Sequence, residues 1–211
     1  MKKANLDYLD NMLLFTKESL RQWEKKENNL NFNIKYWIQK GIIIPLKKGT
    51  YILKSRFEKE KNKDLYVEYL ANKIYEPSYV SCEYVMNKYN LLSEAVYGIS
   101  NVTTSKTKIF NNSIGKFSYV SLNPRLFLGY EIVKFYSADI YTAKKSKAVF
   151  DYLYFRFYKN SLISEKSIEE LRINWENLNK EEFKEIETYA KISKNNRISN
   201  TIRLIKNKYY D

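Results

Sequence analysis

Apolar residues recur at helical spacing near the start of the chain. Within residues 4–13, three leucines stand three and four positions apart, which predicts a short amphipathic helix. A second helix is predicted to begin after Thr16, whose hydroxyl can accept a hydrogen bond from the backbone of the first turn. Leu20 and Trp23 would face the core from this second helix.

A third helix is predicted from about residues 31 to 40, after a polar break at residues 27–29. The apolar residues expected on its inward face are Ile34, Trp37 and Ile38. Gly41 is placed to end the helix, because glycine readily takes the left-handed conformation found there. Residues 42–46 and 50–53 are rich in β-forming side chains and flank a Lys-Lys-Gly turn, which predicts a β-hairpin.

Three short helices followed by a hairpin with a basic tip are typical of a winged helix-turn-helix. The predicted second and third helices are separated by only a few residues, as that motif requires. We therefore predict a winged helix-turn-helix DNA-binding domain over residues 1–60. Residues 54–63 are densely charged, and we interpret them as a solvated link.

Residues 61–211 are predicted to form a second domain of mixed α/β character. Helical patterns cover about residues 64–76, 81–92 and 145–158. Alternation within residues 99–136 favours half-buried antiparallel strands, and the pattern is helical again from 165 to 209. The predicted fold class is therefore α+β, with a mixed core to about residue 160 and a helical C-terminal tail.

The charge distribution adds a reason to expect a polyanionic partner. The 211-residue chain has a formal net charge of +13 and a sequence pI near 9.5. Residues 1–63 hold 15 basic and 7 acidic side chains, so +8 of this charge lies at the N-terminal end. A basic domain with this predicted layout is expected to bind duplex DNA.

Side chains on the third helix, the hairpin tip and the second helix are the candidates for that contact. Asn and Gln can pair with adenine in the major groove, and Lys favours guanine acceptors or phosphates. The candidates on the third helix are Asn31, Asn33, Lys35, Tyr36, Gln39 and Lys40. Those at the hairpin and on the second helix are Lys47, Lys48, Thr50, Thr16, Lys17 and Arg21.

Different roles are expected within this set. The two hairpin lysines would reach phosphates or the minor groove, and the second-helix residues would anchor that helix on the DNA backbone. Taken singly, each lysine fits an ordinary solvated surface equally well, and only the combination of helix face and hairpin tip favours DNA. We interpret Trp23, Trp37 and Tyr51 as core residues because their spacing turns them inward.

Residue composition argues against an enzyme. The chain has no histidine, which excludes Ser–His–Asp and Cys–His catalysis and most zinc chemistry. Its one cysteine, Cys82, is interpreted as a buried structural thiol, and a chain without disulfides fits a reducing compartment. The first fifteen residues resemble neither a signal peptide nor a membrane span. We expect a cytoplasmic protein with no catalytic residue, cofactor or metal.

Two other classes stay open. A metal-dependent nuclease would need clustered carboxylates with a nearby lysine, and residues 131–134 come closest to that arrangement. An RNA-binding module would stack bases on exposed aromatic side chains. The tyrosines that would serve this purpose if exposed are Tyr136, Tyr141, Tyr154 and Tyr158, although burial is the more common outcome for such residues.

Seven runs of residues, taken in order, resemble the AbiEi family of antitoxins from bacterial abortive-infection toxin–antitoxin systems. The runs are LKKGTY (46–51), PSYVS (77–81), YNLLSEAVY (89–97), VTT (102–104), GKFSY (115–119), FLGYE (127–131) and AKKSKAVFDYLY (143–154). The resemblance extends over roughly residues 15–155. Where the family often has Ser-Pro-Glu, this chain has Lys144, Lys145 and Ser146, so no role of that glutamate can be carried over.

The resemblance implies a repressor and antitoxin of a type IV system. Its winged-helix domain would bind inverted repeats in the operator of its own operon. Its C-terminal domain would counteract a nucleotidyltransferase-like toxin, in this family without dependence on a stable complex. We expect a monomer or weak dimer that associates on DNA and has no membrane partner.

Overall fold

Two β-sheets, each with helices packed on it, organise the computed structural model, which describes residues 8–159 and 163–210. This confirms the predicted α+β fold class. Of the predicted first helix, residues 8–10 are helical, and residues 4–7 lie outside the described residues. Among the described residues, no helix has both the length and the apolar character needed to cross a membrane.

Residues 8–53, here called the N-terminal unit, contain a three-stranded antiparallel sheet. Its elements in chain order are β1 (Phe15–Thr16), α1 (Lys17–Leu20), α2 (Glu27–Gln39), β2 (Ile43–Lys47) and β3 (Thr50–Leu53). The strand order is β1-β3-β2, so β3 is the central strand. Beneath the helices lies a separate buried cluster of Leu9, Phe15, Leu20, Leu30, Ile34, Trp37, Ile43, Tyr51 and Leu53.

Local signals account for most of the boundaries in this unit. Thr16 caps α1, and its side chain and that of Ser19 exchange hydrogen bonds with each other's backbone. Gly41 adopts φ +63° just after α2 ends, as predicted. The predicted hairpin is also confirmed, with Gly49 at φ +80° in the turn between β2 and β3.

Two predictions about α2 are wrong. The polar break expected at residues 27–29 is the first turn of the helix, because polar side chains also occupy a solvent-facing helical turn. Ile38, predicted to face inward, is 37% exposed. It follows Trp37 directly, and one residue rotates the side chain by about 100° away from the buried face.

The predicted solvated link is only partly correct: most of residues 54–63 are exposed, but residues 54–59 form a helix, α3 (Lys54–Lys59). Phe57 packs against the larger core of the molecule. Arg56 forms an ion pair of 2.7 Å with Glu60, which is buried and also accepts a hydrogen bond from the Tyr136 hydroxyl at 3.0 Å. The charges in this segment are therefore partly used in internal contacts.

Residues 63–159 and 163–210 are called the C-terminal unit, and residues 54–62, which include α3, connect the two units. Its helices are α4 (Lys63–Ile74), α5 (Cys82–Lys88), α6 (Lys145–Phe157), α7 (Glu165–Glu169), α8 (Lys180–Ser193) and α9 (Asn196–Tyr209). Its strands are β4 (Ser78–Val80), β5 (Ile99–Thr103), β6 (Lys108–Asn111), β7 (Lys116–Ser121), β8 (Tyr130–Phe135) and β9 (Ala138–Ala143). Short 3₁₀ helices cover Pro124–Leu126 and Trp175–Asn177.

The six strands form one mixed sheet in the order β6-β7-β5-β4-β9-β8. The predicted strands within residues 99–136 are present, but their expected antiparallel arrangement is only partly correct. Strand β5 pairs with β7 in parallel, and β4 pairs with β9 in parallel. The predicted helical tail after residue 165 is confirmed by α7, α8 and α9.

Helices cover both faces of this sheet. Tyr119 in β7 donates a hydrogen bond to the Ala71 carbonyl of α4, and Tyr79 in β4 donates one to Asp151 of α6. The strand register places Tyr119 beside Asn101 and Tyr79 beside Val102, which are neighbours on β5. Because neighbouring residues of a strand point to opposite faces, α4 and α6 lie on opposite sides of the sheet.

Three hydrogen bonds join the two units. The Tyr66 hydroxyl of α4 donates to the Leu13 carbonyl, and the Lys47 ammonium donates to the Ile74 carbonyl at 2.7 Å. The Asn112 amide donates to the Leu46 carbonyl at 3.1 Å. The hairpin of the N-terminal unit therefore lies against the C-terminal unit on one side.

Candidate nucleic-acid interface

Helix α2 has two opposite faces of contrasting chemistry. Leu30, Ile34 and Trp37 are buried at intervals of four and three residues. The opposite face carries Asn28, Phe32, Lys35 and Gln39, which also follow one another at intervals of four, three and four residues and are all exposed. We call these four residues the exposed stripe. It presents two amides, one amine and one aromatic ring to solvent.

Ion pairs hold α1 against the start of α2. Glu27 pairs with Lys17, and it also pairs with the Arg21 guanidinium at 3.0 Å. The hydrogen bond from Lys17, together with the charge of Arg21, holds the pKa of the Glu27 carboxyl below its usual value. The amide of Asn31 lies 3.5 Å from the same carboxylate. Both basic side chains expected to anchor α1 on DNA are thus engaged by Glu27 in the free protein.

Besides Arg21, seven of the predicted DNA-contacting residues are exposed around α2, α1 and the hairpin tip. They are Thr16, Asn31, Lys35, Tyr36, Gln39, Lys40 and Lys48. Tyr36 is 45% exposed, and the Lys40 ammonium lies 5.9 Å from the centre of its ring. The Lys17 backbone amide donates to the Gly49 carbonyl at 2.9 Å, which fixes the hairpin turn beside the start of α1. The hairpin turn and Thr16 therefore lie near the start of α2, whereas Gln39 and Lys40 lie at its other end.

Two other predicted residues are directed away from this surface or buried, and a third is only partly exposed. Thr50 is buried because it lies in the central strand of the small sheet and pairs with Thr16. The Lys47 ammonium donates to the Ile74 carbonyl and is thereby directed towards the C-terminal unit instead of the hairpin tip. Asn33 is half-buried because it lies between the two faces of α2. The expected DNA contacts of Lys47 and Thr50 are corrected on these grounds.

Two members of the exposed stripe were missed at the sequence level. The sequence pattern places Asn28 in a polar break and gives Phe32 no role. The signal that could have found both is their spacing to Lys35 and Gln39, which places all four on one helical face once the helix begins at Glu27. Phe32 is 70% exposed and is the most exposed large apolar side chain of α2.

The tyrosines considered for RNA stacking are mostly engaged elsewhere. Tyr141, Tyr154 and Tyr158 are half-buried, and the last two stack on each other with ring centres 5.0 Å apart. Tyr136 is 65% exposed, but its hydroxyl donates to Glu60 and the Arg56 guanidinium lies 5.3 Å from its ring. These contacts make the four tyrosines a weaker candidate surface than α2.

The residues considered for enzymatic chemistry are the buried Cys82 and the carboxylate and lysine of residues 131–134. Cys82 is buried, and this burial raises the pKa of its thiol well above the usual value, which fits the structural role predicted for it. Glu131 lies on the edge strand β8, where Lys134 pairs with Asp139. Across residues 8–159 and 163–210, no three or more metal-ligating side chains come together.

Comparisons with known proteins add no assignment. No protein-family model matches the chain, and a search of curated proteins gives no match. The structural grounds for a function are therefore the chemistry of α2 and its surroundings.

Proposed function

We propose that this chain is a DNA-binding transcriptional repressor and antitoxin whose N-terminal unit is a winged helix-turn-helix. The observation that carries the DNA-binding part is the exposed stripe of α2, opposite a face that is buried in its own core. A helix fixed in this way can enter the major groove as a rigid element and present its amides to base edges. The β2–β3 hairpin would be the wing.

Three lysines without an ion-pair partner support the proposal that α2 faces the major groove. Lys35, Lys40 and Lys48 are exposed, and within the described residues no carboxylate forms an ion pair with any of them. Lys48 sits in the hairpin turn and the other two lie on or directly after α2. Lys35 within the exposed stripe, and Lys40 and Lys48 outside it, would neutralise DNA phosphates and fix the register of the helix on the duplex.

The repressor role is tested on the DNA upstream of the chain's own reading frame. We expect the full chain to bind this duplex at least about 1,000-fold more tightly than a shuffled duplex of equal composition at 0.15 M salt, the usual margin of specific binding. Fluorescence anisotropy with labelled duplexes measures both affinities. Equal affinity for the two duplexes would refute an operator in that region, and stronger competition by tRNA than by the operator would favour the RNA-binding alternative.

The antitoxin role rests on the resemblance alone. The partner it implies is a nucleotidyltransferase-like toxin encoded in the same operon. We expect co-expression of the chain from an unrelated promoter to restore growth of cells that make this toxin. The variant Asn28→Ala/Gln39→Ala should restore growth equally well but fail to repress the operon, because those side chains lie on α2. Failure of the unmodified chain to restore growth would contradict the proposal.

A further inference from the structure

Phe32 stands out among the exposed side chains of α2 because it is apolar. Its ring is 70% exposed, and among the described residues it makes no ring contact with another aromatic side chain. It lies within the exposed stripe, with Asn28 one turn before it and Lys35 one turn after it. Single exposed apolar residues are common on proteins, but Phe32 differs from them because it lies on the face of α2 that would enter the major groove.

The stripe has a defined chemical preference among base pairs. Amide side chains such as those of Asn28 and Gln39 can donate to N7 and accept from N6 of adenine in the major groove. The methyl group of thymine is the apolar contact point that a phenylalanine ring can use there. Arginine does not occur between residues 27 and 39, and Lys35 is the one lysine there, so the stripe holds a single side chain of the types that pair with guanine.

We propose that Phe32 is a specificity residue that packs on a thymine methyl group, so that α2 reads a site centred on A·T base pairs. This inference rests on the proposed DNA-binding function and adds the class of base sequence. Asn28 and Gln39 would pair with adenines on either side of that thymine. Lys35, on the same face, supplies the one cation of the stripe.

The test begins with sites selected from a random duplex pool by the full-length chain. Each dT of the selected site is then replaced in turn by dU, which lacks only the methyl group. We expect one dT in each half-site at which this change weakens binding about three- to five-fold, as for one buried methyl group. We also expect that site to be rich in A·T pairs.

Variants then assign the methyl group to Phe32. Phe32→Ala should weaken binding to the dT duplex and abolish the difference between dT and dU at that position. Phe32→Leu, which keeps an apolar side chain, should retain part of the difference. The matched control is Ile132→Ala, which removes another exposed apolar side chain, 55% exposed on β8, and should leave both affinities unchanged.

Four outcomes would overturn the inference. Selected sites that are rich in G·C pairs would contradict the base preference, and equal weakening of the dT and dU duplexes by Phe32→Ala would contradict the methyl contact. If Phe32→Ala lost self-association in sedimentation experiments but kept the same base preference, Phe32 would instead belong to an interface between two copies of the chain. Absence of binding to any duplex would overturn the proposed function together with this inference.

Discussion

Replacing Asp151 with alanine will lower the free energy of unfolding by about 3–5 kcal/mol, the cost of removing one partner from a buried ion pair. Asp151 and Lys147 stand one turn apart on α6, and both side chains are fully buried. The variant leaves the Lys147 ammonium in the core without a counter-ion. An uncompensated charge in a medium of low polarity is far more costly than the lost contact itself.

The carboxylate is also the centre of a hydrogen-bond network. It accepts from the Tyr79 and Ser81 hydroxyls, each at 2.8 Å, and Lys147 donates to the Tyr79 oxygen at 2.9 Å. Burial and the nearby Asp151 charge raise the pKa of Tyr79, so its hydroxyl keeps the proton that it donates. The variant therefore leaves the Tyr79 and Ser81 hydroxyls without their acceptor, in addition to the unpaired ammonium. We expect the loss of stability to lie near the upper end of the range of about 3–5 kcal/mol for this reason.

Chemical denaturation followed by circular dichroism measures this loss. The control is Asp139→Ala, which breaks the exposed pair with Lys134 on the β8–β9 hairpin and should cost less than about 1 kcal/mol. The double variant Lys147→Met/Asp151→Leu removes both charges and should recover much of the stability. A loss below about 1 kcal/mol for Asp151→Ala, or no recovery in the double variant, would contradict the buried pair.

Elements fixed by local signals could be predicted from the sequence. The Thr16 cap, the Gly41 stop and the Gly49 turn all lie where the pattern places them, because each depends on the conformational preference of one residue and its neighbours. The apolar period that predicts the helix over 145–158 is equally local, and α6 spans Lys145–Phe157.

Features fixed by distant partners could not be predicted. Lys147 and Asp151 have the spacing of an ordinary exposed helical ion pair, and only Tyr79 and Ser81, about 70 residues earlier, make them a buried network. Similarly, β9 pairs with β4 in parallel across more than 60 residues, and no local pattern specifies that partner. The sequence around Arg56 and Glu60 predicts a solvated segment. The side chain that contacts both residues, Tyr136, comes from the distant β8–β9 hairpin and could not be foreseen from the local pattern.

The same distinction applies to the candidate interface. The exposed face of α2 follows from helical spacing alone, so Lys35 and Gln39 are where the sequence places them. Lys47 differs because the carbonyl that binds it, at the end of α4, belongs to the other unit. A basic hairpin tip in a sequence therefore predicts a positively charged surface. The direction of each lysine side chain depends on which part of the chain packs beside the hairpin.

Replacing Lys35, Lys40 and Lys48 together with alanine will weaken binding to duplex DNA on the order of 100-fold at 0.15 M salt. Each phosphate contact contributes about 0.9 to the slope of log affinity against log salt concentration, so the slope should fall by about 2.7. The loss should be similar for operator and shuffled duplexes, because phosphates carry no sequence information. Anisotropy titrations over a salt series measure both quantities.

The matched control removes the same net charge far from α2. Lys166, Lys180 and Lys191 are exposed on α7 and α8 and form no ion pair among the described residues. Their replacement by alanine should change affinity by less than about 3-fold, because long-range attraction to DNA is screened at this salt concentration. Equal losses in the two variants would mean that net charge alone attracts DNA. Retained affinity and slope in the first variant would mean that α2 and the hairpin do not meet the duplex. Only a loss specific to Lys35, Lys40 and Lys48 supports direct phosphate contact at the N-terminal unit.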